Sequence, residues 1–421
     1  MRSLLASGGL FLAASLAFAC GGSSSTEQPQ PVTDAGADTD LPDGGDVDAA
    51  PIPYPAPHQA PPKVGTYGGA TLAKPKVIPI FFQNDALQTD LEKFMSGLAG
   101  TSYWKATTAE YGVGDVSVGA SVVLTEAAPT STTSTAIETW LAGKLDGTHP
   151  EFPAIDANNV YTVFFPKETI ISEPNFGTSC QSYGGYHSET KDKNNKPIIY
   201  AVIPRCGTFG SFTGTDAVTS ALSHELIEAA TDPLVMTDPA YSLVDKDHII
   251  WNVMPLGEIG DMCTYEPQNY PKLIAGFAST KAWSNAAAAA GHDPCVPQAK
   301  GEVYFNASPV LTDTVTANIY GTKIPTKGVK IPVGQSATID VQLFSDAPTD
   351  DWTVQAVDST YVSGGAKELD FSWDKQLGNN GDVLKLTITR TKNGQYGGSE
   401  FIIYSQKGPN LAQMWFGFVA N

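Results

Sequence analysis

One stretch of the chain reads Ser223-His224-Glu225-Leu226-Ile227-Glu228-Ala229-Ala230-Thr231-Asp232-Pro233. Its pattern is HExxE, in which His224 and Glu228 lie four residues apart and therefore project from the same face of a helix. Two metal ligands at this spacing, with a glutamate beside the first, follow the local logic of HExxH zinc hydrolases. A carboxylate oxygen is an accepted zinc ligand in place of the second imidazole. The stretch therefore predicts a helix that carries a metal site.

A second cluster, Gly257-Glu258-Ile259-Gly260-Asp261-Met262-Cys263, follows that helix in the sequence. A catalytic zinc uses three protein ligands and keeps one position open. We expect His224 and Glu228 to supply two of these ligands, and Glu258 or Asp261 to supply the third. Glu225 is then placed to accept a proton from water as the general base.

Two further residues are candidates for the same site. His187, in Gly184-Gly185-Tyr186-His187-Ser188, is expected to act as a ligand or as a catalytic hydrogen-bond donor to the transition state. Asp232 follows the helix and either orients a ligand or shapes the turn with Pro233. Alternatives stay open, because an oxygen-rich site could hold calcium as a structural ion. The helix could also expose its polar residues with no metal.

The N-terminus has the features of a secretion signal. Arg2 precedes an apolar run from Leu4 to Ala19 that is too short for a bilayer span. The run ends in Ala17-Phe18-Ala19-Cys20, which resembles a bacterial lipobox. We therefore expect residues 1–19 to be a lipoprotein signal peptide and Cys20 to be lipidated, anchoring the protein to the cell envelope. An ordinary signal peptide cleaved after Ala19 is the alternative. Gly21 after the cysteine indicates sorting to the outer membrane surface.

Residues 20–62 are predicted to be a disordered stalk. Between residue 21 and residue 62 the chain has seven acidic residues, many prolines and no Lys or Arg. Such a composition buries too little apolar surface to offset the entropy of ordering the chain. The formal net charge is −19, of which the stalk contributes −7 and Arg2 +1, leaving −13 for residues 63–421. An acidic folded part argues against nucleic acid as a partner.

The chain has five cysteines, and four remain when Cys20 is set aside as the anchor. An even number in an exported protein predicts disulfides. Four cysteines permit three pairings, of which we favour the sequential one, Cys180–Cys206 and Cys263–Cys295. The sequence has no CxxC spacing, which would have pointed to a metal site made of cysteines.

The remaining residues indicate two domains, 63–298 and 301–421. The first mixes strand and helix patterns, so we predict an α/β (mixed α+β) domain. Its predicted strands are Pro75–Phe82, Asp115–Thr125, Val160–Phe165 and Ile198–Ile203. Its predicted helices are Asp85–Leu98, Tyr103–Tyr111, Ser131–Leu145 and Asp216–Ala230.

The second domain shows short alternating runs separated by turn signals such as Lys392-Asn393-Gly394. This pattern predicts an all-β domain, and its spacing is typical of an immunoglobulin-like sandwich. The predicted strands are Lys330–Val333, Ser336–Phe344, Trp352–Val357, Leu369–Trp373, Val383–Thr391, Glu400–Ser405 and Met414–Val419.

Several of these motifs together resemble a known family. The HExxE stretch, Glu258-Ile259-Gly260-Asp261, Tyr186-His187-Ser188 and Trp283-Ser284-Asn285 are similar to bacterial secreted relatives of the plant Exordium, or phosphate-induced protein 1, family. The resemblance covers roughly residues 65–298. It implies an extracellular protein without an assigned reaction, and since plant members lack the HExxE string, it implies no metal chemistry.

Two hypotheses follow from these observations. The first is a surface-anchored, zinc-dependent hydrolase, most simply a peptidase, with calcium as the alternative metal. The second is a non-catalytic lipoprotein that binds an extracellular carbohydrate or serves adhesion, with a structural metal or none. In either case we expect a monomer that meets a peptide or polysaccharide outside the cell.

Overall fold

The computed structural model describes residues 51–173, 177–253, 257–264, 270–319, 321–408 and 411–421. The predicted signal peptide, Cys20 and residues 20–50 of the predicted stalk lie outside these ranges. The described chain is mostly β and is organised in several sheets. None of its described helices has both the length and the apolar character that crossing a bilayer requires.

The first domain is built around one mixed sheet. Its main strands are β1 (Lys76–Phe81), β2 (Asn159–Phe165), β3 (Tyr186–Lys191) and β4 (Pro197–Pro204). The order across the sheet is β1-β2-β4-β3, with β1, β2 and β4 parallel and β3 antiparallel to β4. Every residue of β2 is buried, as expected for a central strand covered on both faces.

Helices cover both faces of this sheet. They are α1 (Gln88–Gly100), α2 (Tyr103–Thr108), α3 (Ser134–Lys144), α4 (Thr215–Thr231) and α5 (Asn285–Ala289). Alternate residues along a strand point to opposite faces. In β1, Val77 and Phe81 therefore join the core beneath α1, α2 and α4, whereas Ile78 and Ile80 join the core beneath α3. The sheet thus places α4 on one of its two covered faces.

Shorter elements complete this domain. The short strands are Val64–Gly65, Ser117–Val118, Val122–Val123, Ser131–Thr133, Ile170–Glu173, Gly177–Thr178, Thr208–Phe209, Phe212–Thr213, Leu243–Val244, Ala282–Trp283 and Cys295–Val296. Three 3₁₀ helices span Ala109–Tyr111, Lys246–Asn252 and Asp261–Cys263. The strand predicted at Asp115–Thr125 is therefore two short strands, Ser117–Val118 and Val122–Val123, interrupted around Gly119.

The second domain contains two main sheets. Its strands are β5 (Phe305–Pro309), β6 (Asp313–Ile319), β7 (Thr322–Lys330), β8 (Ser336–Ser345), β9 (Trp352–Asp358), β10 (Leu369–Trp373), β11 (Val383–Arg390), β12 (Ser399–Lys407) and β13 (Leu411–Ala420). One sheet has the order β5-β8-β11-β10, and the other has β6-β7-β13-β12-β9 followed by Leu377–Gly378. The short helix α6 (Ser359–Val362) follows β9. An immunoglobulin-like arrangement of these sheets stays a prediction.

The prediction at the start of this domain was wrong in position. A strand was expected at Lys330–Val333, but β7 ends at Lys330, and β5, β6 and β7 were not predicted. These strands escape a pattern search because β7 carries Pro325, Gly328 and several lysines, which are rare in strands. β6 pairs with β7 along the whole length of β6. This pairing supplies the hydrogen bonds of a strand that the residues of β7 do not favour by themselves.

The two domains share one continuous hydrophobic core. Trp251 of the first domain packs edge-on against Trp415 and Phe416 of β13. Residues 51–62, which composition assigns to the stalk, pack against the second domain. The His58 ring stacks on Phe344 with centroids 3.7 Å apart, and the Ala56 N–H donates to Asn380 Oδ1. Their order comes from these tertiary contacts, which composition does not reveal.

Candidate metal centre

Helix α4 carries the HExxE residues inside the protein. Gly214 precedes the helix with a φ of 57°, and the residues from Ala217 to Thr231, apart from Ala221, are buried. Because the helix is covered nearly all round, its polar residues must find partners within the protein. The alternative in which His224, Glu225 and Glu228 face solvent is therefore excluded by the structure.

Three donor atoms converge on the His224 side of the helix. His224 Nε2 lies 3.1 Å from Glu228 Oε2 and 3.4 Å from Asp261 Oδ1. A tetrahedral zinc with bonds of about 2.0–2.2 Å separates its ligand atoms by roughly 3.3–3.6 Å. His224 Nε2 is thus separated from each of the two carboxylate oxygens nearly as zinc ligands are separated, and the ligand atoms of the three residues all lie within 4.8 Å of one another. Of the two sequence candidates for the third ligand, Asp261 lies at this position.

His187 approaches the same carboxylates from the edge strand β3. Its Nδ1 lies 3.5 Å from Glu225 Oε2 and 3.8 Å from Glu228 Oε2. Its Nε2 lies 3.6 Å from Glu258 Oε1, a distance too long for a hydrogen bond. Neither of these last two atoms has a hydrogen-bond partner among the described residues, although both are buried. Glu258 therefore faces His187, while Asp261 faces His224.

The segment that carries Glu258 and Asp261 is fixed at several points. Cys263 forms a disulfide with Cys295, and the backbone N–H of Trp283 donates to the Ile259 carbonyl at 2.7 Å. The Asp261 N–H donates to Glu228 Oε1 at 3.0 Å, which leaves Glu228 Oε2 directed at His224. These contacts hold the two acids beside α4.

Two glycines allow the groups to approach so closely. A Cβ on Gly260 would lie 2.7 Å from Glu228 Oε1 and 2.9 Å from His224 Nδ1. A Cβ on Gly185 would lie 2.9 Å from Glu225 Cγ. A Cβ essentially never lies within 3 Å of another non-bonded heavy atom, so both positions must be glycine for this arrangement. The sequence alone gives Gly185 and Gly260 no role, because the close approach they allow depends on residues distant in the chain.

Burial and charge act in opposite directions on the two imidazoles. Burial lowers the pKa of His187, but the carboxylates of Glu258, Glu225 and Glu228 raise it, and the resulting pKa is about 10. Burial also opposes protonation of His224, yet its neighbouring acids raise its pKa well above the ordinary value. Each imidazole is therefore a strong site for a cation, whether a proton or a metal.

The carboxylates are affected by one another. Burial, followed by the charge of Glu228, raises the pKa of Asp261 to about 7. The same two causes raise the pKa of Glu258 well above its ordinary value. Four buried carboxylates thus face two imidazoles, and no more than 12% of any of these side chains is exposed. The raised pKa values show that these acids repel one another when ionised, and a cation bound among them would relieve that repulsion.

Two overlapping groups of donors in the described residues could hold a metal. One comprises His224, Glu228 and Asp261, and the other comprises His187, Glu225 and Glu228. Imidazole nitrogens suit zinc, whereas calcium prefers six to eight oxygen ligands. The donor set therefore fits a metal of the zinc type, although the structure does not identify the metal.

Asp232 has a structural partner. Its Oδ1 accepts the Ala240 N–H at 2.5 Å, so the carboxylate shapes the turn after α4. Its charge also contributes to the raised pKa of Glu258, which places it within electrostatic reach of the cluster. The structure therefore shows the turn-shaping role, whereas orientation of a metal ligand by Asp232 stays a prediction.

The four cysteines of the folded part form the two favoured disulfides. Cys180 bonds Cys206, and Cys263 bonds Cys295. The first closes the segment that contains β3 and β4, and therefore His187. Both bridges thus lie next to segments that supply the cluster.

No protein-family model and no curated protein matches the chain. Among solved structures, it is similar to crystal structures of wild-type OgpA from Akkermansia muciniphila. One shows 10% sequence identity and a TM-score of 0.23, covering 83% of this chain and 93% of that chain. A second crystal form shows 10% identity and a TM-score of 0.22, covering 83% and 92%. Similarity at this level transfers neither fold nor activity.

Proposed function

We propose that this protein is a zinc-dependent hydrolase of the peptidase type, anchored to the cell envelope through a lipidated Cys20. The observation that carries the proposal is the approach of His224 Nε2 to Glu228 Oε2 and Asp261 Oδ1, at 3.1 and 3.4 Å, in a group whose ligand atoms all lie within 4.8 Å of one another. These three residues would hold the metal.

Bound zinc would supply Lewis-acid polarisation of a carbonyl and a lowered pKa for water. Glu225 is the candidate general base, because it neighbours His224 on α4 and lies in the same buried cluster. His187 is the candidate donor to the oxyanion that develops on the substrate, since its imidazole lies beside Glu225 in the same buried cluster. Glu258 lies on the other side of the imidazole, with its Oε1 3.6 Å from His187 Nε2.

One observation favours the second candidate, a non-catalytic lipoprotein with a structural metal. Glu225 is only 5% exposed, and a hydrolase must admit its substrate to the base. Structural metal sites are closed, whereas catalytic sites keep an open position. The catalytic proposal therefore requires that covering residues move when substrate binds.

Metal analysis by plasma mass spectrometry tests the site itself. We expect about one equivalent of zinc in the full-length protein and none in a folded His224→Ala/Glu228→Ala variant, because two of the three ligands are lost. The matched control is His149→Ala/Glu151→Ala, a solvent-exposed histidine–glutamate pair of the same domain. Absence of metal from the parent protein contradicts the proposal. Calcium that survives the site variant favours a structural ion elsewhere.

The lipid anchor is a separate part of the proposal. It rests on Ala17-Phe18-Ala19-Cys20 and on the acidic, proline-rich segment that follows. A Cys20→Ser variant is expected to move from the membrane fraction to the soluble fraction and to lose labelling by a radioactive fatty acid. Unchanged membrane association in that variant contradicts lipidation at Cys20. The resemblance to the Exordium family is consistent with the proposed export but adds no chemistry.

A further inference from the structure

A short β-hairpin, residues 207–214, stands between two fixed parts of the first domain. Its strands Thr208–Phe209 and Phe212–Thr213 pair with each other and form a two-stranded sheet of their own. The Cys180–Cys206 disulfide fixes the residue just before the hairpin, and α4 begins at Thr215, just after it. Hairpin 207–214 is therefore held at its two ends by parts of the fold that stay in place.

Glycines lie at the points where this hairpin can turn. Gly207 and Gly214 are its two ends, and Gly210 lies in the turn between its strands. Gly210 and Gly214 have φ angles of 56° and 57°, and a Cβ on either would meet no atom within 4 Å. The Gly214 N–H donates to the Gly207 carbonyl at 2.9 Å, inside the hairpin. The hairpin can therefore rotate about its end glycines as one piece, carrying this bond and its strand pairing with it.

Two phenylalanines pack the hairpin onto the protein. Phe209 and Phe212 are partly buried, whereas the other residues from 207 to 214 are exposed. The Phe212 ring stacks on Tyr270 with centroids 5.2 Å apart. The Phe209 ring packs on Gly184, where a Cβ would lie 2.8 Å from Phe209 Cδ1. Because two partly buried rings supply these contacts, we expect only a modest free energy to separate the closed hairpin from an open one.

The Phe209 contact adjoins the catalytic side of the metal centre. Gly184 is followed by Gly185, where a Cβ would lie 2.9 Å from Glu225 Cγ. His187 follows two residues later on β3, with its Nδ1 3.5 Å from Glu225 Oε2. The ring of Phe209 thus rests on the segment that covers the candidate base.

The Phe212 contact adjoins the ligand side of the same centre. Thr280 Oγ1 donates to Tyr270 Oη at 3.1 Å, and the Thr280 N–H donates to Ser223 Oγ at 2.8 Å. Ser223 directly precedes His224 on α4. Burial raises the pKa of Tyr270, and the charge of His224 acts on the same hydroxyl. Hairpin 207–214 therefore bridges two segments that border the centre from different sides.

The centre beneath these segments is closed. Glu225 is 5% exposed, and the side chain of His187 is 4% exposed. We propose that hairpin 207–214 is a lid, which opens about Gly207 and Gly214 to admit a peptide to the metal centre. The lid closes when its two phenylalanine rings return to Gly184 and Tyr270. This inference rests on the proposed function, because a hydrolase must both admit its substrate and then exclude water from the reaction.

Reaction of the histidines with diethyl pyrocarbonate, followed by peptide mass spectrometry, tests the lid in the metal-free, full-length protein. In the parent, we expect His187 and His224 to react more slowly than His149 and His292, whose side chains are 37% and 58% exposed. Phe209→Ala/Phe212→Ala should raise both slow rates by at least about 10-fold, because loss of the ring contacts increases the open fraction. The rates of His149 and His292 should not change.

Two further variants act as controls. Phe209→Leu/Phe212→Leu keeps apolar side chains on the hairpin and should react nearly as the parent does. Val123→Ala/Ile170→Ala shortens two side chains of the same domain that are 48% and 53% exposed, and it should leave every rate unchanged. Circular dichroism establishes that each variant is folded.

Three outcomes overturn the lid. The first is equal reaction of His187 and His224 in the parent and in a folded Phe209→Ala/Phe212→Ala variant. The second is reaction of both residues in the parent as fast as His149, because the centre is then open already. The third is an equal rise at His248, which shows general loosening. Since the protein is metal-free and no substrate is used, absence of zinc or of hydrolysis contradicts the proposed function but not the lid.

Discussion

Buried carboxylates occur in both domains, but their partners differ. In the second domain, Asp358 accepts the backbone N–H groups of Leu369 and Tyr361, at 2.8 and 3.1 Å, and so caps α6 and joins it to β10. Nearby, Arg390 is fully buried and donates to the Ile331 carbonyl and to Asn393. In the first domain, Glu228 and Asp261 face an imidazole and each other. Backbone partners indicate a role in architecture, whereas carboxylates that converge on imidazoles indicate a site for a cation.

Glu228 shows both kinds of contact in one side chain. Its Oε1 accepts the Asp261 N–H, as a structural carboxylate does, while its Oε2 faces His224. The backbone bond therefore aims the second oxygen. We therefore expect substitutions of the carboxylates that face the imidazoles to change metal binding more than stability, and substitutions of buried carboxylates in the second domain to change stability.

Glu225→Gln should produce the largest effect. The amide cannot accept a proton, so we expect hydrolysis of a peptide substrate to fall by about 10²–10⁴-fold, the contribution of a general base. Zinc content and thermal stability should stay near those of the parent, because the substitution conserves the shape of the side chain. Full activity in this variant, measured beside the zinc-free double variant, removes Glu225 from the mechanism.

Asp261→Asn and Glu258→Gln form a matched pair that separates the two candidates for the third ligand. Asp261→Asn is expected to weaken zinc binding by more than about 100-fold, because a ligand is lost, and Glu258→Gln by roughly 10-fold, because an outer partner is lost. Competition with a fluorescent chelator measures both affinities. The reverse order of effects assigns the ligand to Glu258 instead.

Gly260→Ala tests the close packing of the centre. The backbone of Gly260 is helical, with φ −71° and ψ −46°, so alanine adds no backbone strain and only its Cβ matters. Overpacking against Glu228 and His224 should lower the free energy of unfolding by about 1–3 kcal/mol. In the control, Gly143→Ala, the new Cβ meets no atom within 4 Å inside α3 and should be neutral or stabilising. Equal stabilities in urea unfolding contradict the packing seen here.

Glu400→Gln should change only the pH dependence of stability. Burial, then the charge of Glu368, raises the pKa of Glu400 from 4.5 to about 8 in the folded protein. The folded state therefore keeps a proton that the unfolded state releases, so this residue stabilises fully below pH 4.5. That contribution is lost as pH rises through about 8. The variant should remove this decrease of the free energy of unfolding with pH, which is at most about 1.4 kcal/mol per pH unit.

Thermal unfolding between pH 5 and pH 9 measures the Glu400 effect. The control is Glu168→Gln, an exposed glutamate of the first domain. Identical pH profiles of the parent and the Glu400→Gln variant contradict a proton held in the second domain.

Local sequence was enough to locate the elements that carry the site. Helical spacing predicted α4 within a residue of its bounds, because its apolar residues repeat with the period of a helix and Pro233 prevents continuation. The central strands β2 and β4 were predicted from their β-branched and aromatic runs. The strands β5, β6 and β7 were not, because β7 carries Pro325, Gly328 and several lysines, and because β5 pairs with β8, which is distant in sequence.

The sequence by itself determined which residues could bind a metal, since the HExxE spacing sets His224 and Glu228 on one helical face. It also favoured the sequential disulfides, because each of them closes a loop of moderate length. Only the tertiary structure decided that Asp261 meets His224 and that Glu258 meets His187. The two acids lie three residues apart in one segment. Its hydrogen bonds to Glu228 and Trp283, together with the disulfide to Cys295, set which acid faces which imidazole. Those bonds join residues far apart in the chain, so no local pattern encodes them.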